Sequence, residues 1–406
     1  MNIKNMQIIG HSDLNSVGKG GEGFGLKALS NGERYLFLAH ESGPKDFSVL
    51  NITNPSNPRL VLQVDLPGPN LRSNCMALVG DIMLVGYQSG KLHPTKEDYN
   101  VEHTGMAVFD VSDVTKPRKI GFWDAKGPAS RGTHFVWCVD GEYAHLSTGT
   151  SDSCPANPSD DQMYVILDIR NPQKPEEAGR WWLPGTQKKD TTSRPIRHNF
   201  LDTGFRAHNI NVYPQRPDRA YVGYIDGGVI ILDITNKGNP KMLSRVDYHP
   251  PYNGFTHTAL PLFNRDLMIV TDECIEFDLI DWPKFVWVFD IRDETNPVPI
   301  STFPTPPLDA YRAKGMRLGA HNIHENEPLP TSWFSDEIIV GTFFSGGVRA
   351  YDIKNPYQPQ EIAWCEPDVP TGQVSTMIND LYIDERGLIY ALDRLNGGLY
   401  VIEMQI

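Results

Sequence analysis

The sequence predicts an all-β chain folded as a single seven-bladed β-propeller over residues 1–406. Three observations lead there. A strand–turn–strand phrase recurs along the whole chain, two further short apolar runs precede each copy, and the N-terminal segment matches the strand that the last copy lacks.

The phrase runs "FSVLNITNPSNPRLVLQVDLPG" from 47, "MAVFDVSDVTKPRKIGFWD" from 106 and "MYVILDIRNPQKPEEAGRWWLPG" from 163. It returns as "GVIILDITNKGNPKMLSRVDYHP" from 228, "VWVFDIRDETNPVPISTFPTP" from 286 and "GVRAYDIKNPYQPQEIAWCEPD" from 347. Its anchors are Asn51, Asp110, Asp168, Asp233, Asp290 and Asp352, spaced 57 to 65 residues apart. The β-branched and aromatic run before each anchor reads as a strand, and the Asn-Pro that follows ends it, because Pro cannot continue a ladder. Upstream pairs such as "HFVWCV" and "EYAHLST" bring each unit to four strands. A truncated seventh copy, "GGLYVIEMQI", ends with Glu403 in the anchor place. The N-terminal "NMQIIGHSD" resembles the fourth strands "PRKIGFWD" and "PRLVLQVD", so it is expected to complete the last blade and close the ring.

Composition agrees with many short strands joined by tight turns: 35 Gly and 32 Pro among 406 residues. A net charge of −13 argues against a nucleic-acid partner. No apolar run is long enough to span a membrane, and the N-terminus lacks the features of a signal peptide. Five scattered cysteines without CxxC spacing suit reduced thiols, so a cytoplasmic location is expected. A homo-oligomer is compatible with all of this.

The chemistry-bearing pattern is a histidine repeated with the inner strand. "GTHFVWCV", "RAHNINVY", "FTHTALPL" and "GAHNIHEN" place His134, His208, His257 and His321 at the start of the strand that lines the channel in four consecutive blades. Equivalent positions in neighbouring blades are related by rotation about the axis, so the four imidazoles are expected to converge on one point. Imidazole is a leading ligand for transition metals. A divalent ion is therefore expected, iron first, with zinc, manganese or copper as alternatives. The other three blades carry "GEGFGLKAL", "RSNCMALVG" and "VSTMINDLY" at that place. A purely structural histidine would recur in every blade, so the uneven distribution favours a site. Glu22 and Asn74 are candidates to face the ion from across the channel.

The recurring phrase resembles the LVIVD repeat, whose family fold is a β-propeller. The four histidines resemble, in geometry alone, the all-histidine iron centre of the carotenoid cleavage oxygenases, also seven-bladed propellers; less closely they resemble the selenium-binding, methanethiol-oxidase propellers. That analogy implies oxygenase or oxidase chemistry.

Second-strand ends open on the same face as the histidines, and they supply polar groups: His40 and Glu41, Asp226, Asp272 and Glu273, Asp393 and Arg394. Glu273 and Asp226 are the expected general bases or ligand-orienting carboxylates, and Arg394 the expected anion clamp. Among the remaining histidines, His324 is expected to be packed, His145 to lie in the core and His198 in an exposed loop. The loops 186–206 and 305–319 concentrate basic residues, so Arg194, Arg197, Arg206, Arg312 or Arg317 could meet a carboxylate-bearing substrate against Phe205, Phe255 and Tyr311. The leading expectation is a metal-dependent oxidoreductase acting on a small organic molecule. A non-redox hydrolase or lyase is the alternative within enzymes, and a non-catalytic interaction propeller the alternative outside them. No P-loop, dinucleotide fingerprint or GxSxG elbow occurs.

Overall fold

The computed structural model describes residues 1–90, 94–198, 200–312 and 315–406, with the side chains of Ala310 and Arg312 left out. Antiparallel meanders follow one another around an axis, each running from an inner strand outward, and the fold is a β-propeller. Blade A holds Gly20–Ala28, Arg34–His40, Lys45–Asn51 and Arg59–Asp65; blade B holds Leu71–Val79, Ile82–Ser89, Gly105–Asp110 and Arg118–Asp124. Blade C holds Thr133–Trp137, Tyr143–Thr148, Met163–Asp168 and Glu176–Trp181; blade D holds Ala207–Tyr213, Arg216–Tyr224, Gly228–Asp233 and Lys241–Val246. Blade E holds Thr256–Leu262, Leu267–Asp272, Val286–Asp290 and Val298–Thr302. A and B are joined into one eight-stranded sheet by the pair His40↔Ser73.

Both ends of the chain meet in the last two blades. Met6–Ser12 pairs with Gly398–Met404 and becomes the outer strand of blade G, beyond Ile378–Ile383 and Leu388–Asp393. The expected ring closure is therefore present. An additional strand, Asn2–Lys4, extends blade F (Ile338–Thr342, Val348–Asp352 and Gln360–Glu366) at its outer edge. Blade F departs from the others on its inner side. The His321 segment forms no regular strand there; it is held by His321 N–H to Thr342 O (3.0 Å), Thr342 N–H to Asn322 O (2.8 Å) and His324 N–H to Val340 O (2.9 Å).

The repeated anchor has a clear physical role. In each of six repeats its side-chain oxygen accepts from the backbone N–H two residues on: Asn51 from Thr53, Asp110 from Ser112, Asp168 from Arg170, Asp233 from Thr235, Asp290 from Arg292 and Asp352 from Lys354. A second Asx turn follows three residues later, as in Asn171 to Gln173 and Asp293 to Thr295. Between the two turns the apolar residue (Ile52, Val111, Ile169, Ile234, Ile291 or Ile353) is buried in the core. Its N–H bonds back to the start of the second strand, as in Ile234 N–H to Asp218 O at 2.9 Å. The Asp-Ile phrase is thus a hinge that turns the third strand into the fourth while pinning the blade to itself.

The Asp233 carboxyl is held below its ordinary range by the Thr235 N–H and hydroxyl, and that of Asp290 by the Arg292 guanidinium and N–H. A depressed carboxyl contributes stability above the unfolded value and loses it as pH falls through the folded one. The double variant Asp233→Ala, Asp290→Ala is expected to melt about 2–4 °C below the parent at pH 7. The gap should narrow below about pH 4. Calorimetry at both pH values checks this, and a gap independent of pH would contradict it.

Candidate metal centre

Each inner strand carries a break in register where it reaches the channel mouth. The breaks fall between Gly20 and Phe24 in blade A, Arg72 and Cys75 in B, Thr133 and Phe135 in C, Ala207 and Ile210 in D, Thr256 and Thr258 in E, and Ile378 and Asp380 in G. A β-bulge re-aims the side chain it contains. Four of these bulges hold Glu22, His134, His208 and His257, and the irregular segment of blade F adds His321. Blades also approach closely here: a Cβ on Gly223 would come within 2.0 Å of the His257 carbonyl oxygen, so only glycine fits.

The four imidazoles do converge, in blade order. Ring centroids are 4.5 Å apart for His134 and His208, 3.9 Å for His208 and His257, and 4.6 Å for His257 and His321. Their Nδ1 atoms are turned outward onto fixed partners: Gln88 Oε1 at 2.9 Å for His134, Asn209 Oδ1 at 3.0 Å for His208, Thr258 Oγ1 at 2.8 Å for His257 and the Asn379 carbonyl at 2.6 Å for His321. At His134 the Arg72 guanidinium is also near, at 3.3 Å, but it donates to Gln88 Oε1 at 2.6 and 3.1 Å and so fixes that oxygen as the acceptor. Carbonyl-type oxygens require Nδ1–H to donate in His134, His208 and His321, and the Thr258 hydroxyl can accept from His257 in the same way, so that each Nε2 then carries a lone pair towards the centre.

Among the described residues, no group outside the cluster takes these Nε2 atoms by a hydrogen bond. His134 Nε2 and His208 Nε2 face each other at 2.9 Å, and the buried Nε2 atoms of His257 and His321 have no hydrogen-bond partner among the described residues. Burial, reinforced by neighbouring charges, holds His134, His208 and His321 far below the ordinary imidazole range; burial alone takes His257 down to about 3. All four are therefore neutral, the form that ligates a metal. Glu22 enters from blade A, 3.6 Å from His321 Nε2, 3.8 Å from His257 Nε2 and 3.9 Å from His134 Nε2. Glu273 Oε1 stands 3.6 Å from His321 Nε2. The donor atoms of Glu22, His208 and His257 lie within 4.8 Å of one another, and so do those of His257, Glu273 and His321. Nitrogen donors bound at about 2.1 Å to one ion stand about 3.0 Å apart when cis and about 4.2 Å when trans. The donor set, four imidazoles and a carboxylate without thiolate, suits borderline divalent metals.

Above the imidazoles a cavity of about 620 Å³ opens on the same face. The second-strand ends divide their labour in adjacent pairs. His40 is consumed inside blade A by Ser48 (2.8 Å) and the Lys19 carbonyl, whereas Glu41 reaches the cavity. Asp393 holds the backbone N–H groups of Met377, Leu395 and Gly397, whereas Arg394 reaches the cavity. Asp272 binds Tyr248 and Trp287, whereas Glu273 reaches the cavity, where burial pushes its carboxyl up to about 8 against the pull of Arg317.

Two expected roles are corrected. Asp226 is not a base: its carboxylate is capped by Thr203 N–H (2.8 Å), Gly204 N–H (2.7 Å) and the Thr203 hydroxyl (2.9 Å), and it does not line the cavity. Arg394 is not a free anion clamp, because it is bound to Glu41 Oε1 at 2.6 Å and Asn379 Oδ1 at 3.2 Å. Of the basic loop residues, Arg206 and Arg317 line the cavity, Arg197 is tied to Asp160 and Asp202, Arg194 is exposed, and the Arg312 side chain lies outside the described residues. Phe255 belongs to the wall; Phe205 sits under Arg197, and the Tyr311 hydroxyl is taken by Arg349 and Glu366.

His324 is packed, with Nε2 at 2.7 Å from the Trp333 carbonyl, and His145 is bonded to Tyr164 in the core. Asn74 is buried with both amide atoms unpartnered among the described residues. Sequence reasoning missed Arg72 and Gln88, which orient His134, and Glu325, whose Oε1 accepts from Asn209 (2.8 Å) and Asn211 (3.1 Å) and so steadies the partner of His208.

This class of architecture is confirmed by comparison with known proteins. The LVIVD repeat profile matches residues 32–66 and 217–248, so the chain carries LVIVD repeats. No curated protein matches the sequence. Solved propellers match the fold: the β-propeller domain of Cps50 (Swd1) from Myceliophteria thermophila has a TM-score of 0.58 at 12% identity, with 100% of this chain and 99% of that chain covered. Raptor from Chaetomium thermophilum has a TM-score of 0.57 at 11% identity over 98% of this chain and 29% of that one. At these identities the likeness concerns the fold alone. No helix among the described residues is long and apolar enough to cross a membrane.

Purified protein is expected to contain about one transition-metal ion per chain, and the variant His208→Ala, His257→Ala to contain less than about a tenth of that while keeping its β-sheet circular dichroism. Elemental analysis reads this directly. A parent that stays metal-free after exposure to iron, zinc, manganese and copper would contradict the centre.

Proposed function

We propose that this chain is a metal-dependent enzyme acting on a small organic molecule in the cavity, with His134, His208, His257 and His321 as metal ligands and Glu22 beside them. The observation that carries the reading is the inward set of four buried Nε2 atoms, those of His134 and His208 facing each other at 2.9 Å and those of His257 and His321 without a partner among the described residues, with each Nδ1 held outward. An interaction propeller without a metal leaves that arrangement unexplained, since buried acceptors without donors are costly. Iron is the first choice and dioxygen chemistry the first reaction class, because four neutral imidazoles and one carboxylate leave a ferrous ion both redox-active and open to a further ligand.

The chain's own groups supply positioning and proton control. Gln88, Asn209, Thr258 and the Asn379 carbonyl hold the rings. Arg72 and Arg394 share Glu41 and keep it at the rim, with Glu41 Oε1 2.6 Å from both guanidinium groups. Phe344, at φ +49°, stacks on His321 (4.6 Å, 22°) with Arg317 and Arg394 over its ring at 5.5 and 5.8 Å, walling that side of the site. Glu273 carries its proton near neutrality and sits at the floor of the cavity, where it can take or return a proton on bound substrate. The same residue favours a second reading, a hydrolase or lyase in which a zinc or manganese ion polarises a carbonyl.

Nitric oxide separates the two readings, since it substitutes for dioxygen on ferrous ions. Protein reconstituted anaerobically with iron(II) is expected to give a high-spin ferrous–nitrosyl EPR signal, absent from the His208→Ala, His257→Ala variant. Iron-loaded protein that shows no such signal, together with ester hydrolysis by the zinc-loaded form that Glu273→Gln abolishes, would displace the oxygenase reading in favour of the hydrolytic one.

A further inference from the structure

Two buried guanidinium groups at the blade C and D side of the cavity share a single carboxylate. Arg131 and Arg206 are 2% and 3% exposed, and both turn to Asp161, which is itself 2% exposed. The division is unequal. Arg131 Nε donates to Asp161 Oδ2 at 2.5 Å, whereas Arg206 reaches Oδ1 only at 3.6 Å. That Oδ1 atom and Arg206 Nε both lack a hydrogen-bond partner among the described residues. The other cavity arginines are engaged: Arg72 with Glu41 and Gln88, Arg394 with Glu41 and Asn379, Arg317 with Glu273. Of these cavity arginines, Arg206 presents a planar fork of N–H donors with no acceptor at bonding distance among the described residues. A buried charge in that state is destabilising until an anion meets it.

Two neighbouring features indicate which anion. Gln162 also lines the cavity and is 4% exposed; its backbone carbonyl accepts from Ala207 N–H at 3.3 Å, which places it against the Arg206 strand, and its side-chain amide N–H groups are the ones that can donate to an anion. A guanidinium beside a carboxamide matches a planar monoanion, and Asp161 close behind disfavours a dianion. Adjoining them is an apolar cluster of Ile225, Phe255 and Ile275, each at most 4% exposed, and the Phe255 ring lies 5.8 Å from that of His208.

We propose that Arg206, assisted by Gln162, anchors the carboxylate of an amphipathic substrate whose apolar or aromatic body lies against Ile225, Phe255 and Ile275. The assignment rests on reading this cavity as the substrate site of the enzyme proposed above. It places the charged end at blades C and D and the apolar body along the wall beside His208.

The probes are 2-naphthoate and its neutral isostere 2-naphthamide, titrated calorimetrically into the full chain with its metal content measured on the same samples. The parent is expected to prefer naphthoate by about tenfold or more, and Arg206→Met to reduce that ratio to within about twofold. The variant should also melt no lower than the parent, because a methionine replaces a charge that lacks a close partner. Gln162→Leu should fold normally and lose part of the preference. An unchanged ratio in Arg206→Met overturns the proposal, and so does a variant that fails to fold, which would make Arg206 a structural partner of Asp161. Metal bound without any naphthoate preference overturns the anchor while leaving the histidine centre standing. Preference in protein that stays metal-free after exposure to iron, zinc, manganese and copper supports the anchor and overturns the centre.

Discussion

Everything at the mouth of this propeller depends on four imidazoles being buried with their Nε2 atoms facing inward. Each ring is committed by an outward Nδ1–H bond, and each of those acceptors belongs to a different part of the frame. Rotating a ring to relieve the crowding would break that bond and strand a buried acceptor. Rigid blades therefore hold the Nε2 atoms of His134 and His208 2.9 Å apart, a separation that suits two ligands of one ion as well as one shared proton, while His257 and His321 keep unpartnered Nε2 atoms beside them. The repeated bulges are what make the convergence possible, since a regular strand would send every second side chain into the neighbouring blade rather than towards the axis.

Charge extends the same logic outward from the histidines. The arginines lining the cavity share carboxylates: Arg72 and Arg394 divide Glu41, Arg131 and Arg206 both turn to Asp161, and Arg317 meets Glu273, whose burial favours its neutral form. A divalent ion at the histidines would raise the positive excess further. In a protein of net charge −13 such a concentration of arginines around one cavity is a local exception to the acidic surface.

The propeller was legible in the sequence because its blades repeat, and the repeat is anchored by residues with a local job: Asp168 or Asp233 capping its own turn needs no distant partner. The histidines were legible for the same reason, since equivalent positions in a closed ring meet at the axis. What surrounds them was not. At the second-strand ends the sequence offers adjacent polar residues, and which one faces the cavity depends on register that composition does not reveal; hence Glu41, Glu273 and Arg394 reach it while His40, Asp226 and Asp393 are spent on turns and packing. Gln88 sits near the end of its second strand as His40, Asp272 and Asp393 do in theirs, and Arg72 pairs with it just before the bulge, but the residue type changes from blade to blade, so no repeated letter marks them. The repeated Ala-His-Asn does carry such a signal in part: Asn209 is the Nδ1 partner of His208, and Asn322 lies beside His321 Nδ1 at 3.5 Å.

The most direct test of the central claim is X-ray absorption at the edge of whichever metal the purified protein carries. The account predicts a nearest shell of nitrogen and oxygen at about 2.1 Å, with the outer-shell scattering of several imidazole rings and no sulfur. A sulfur shell, or a nearest shell of oxygen without imidazole scattering, would contradict a centre built from His134, His208, His257 and His321.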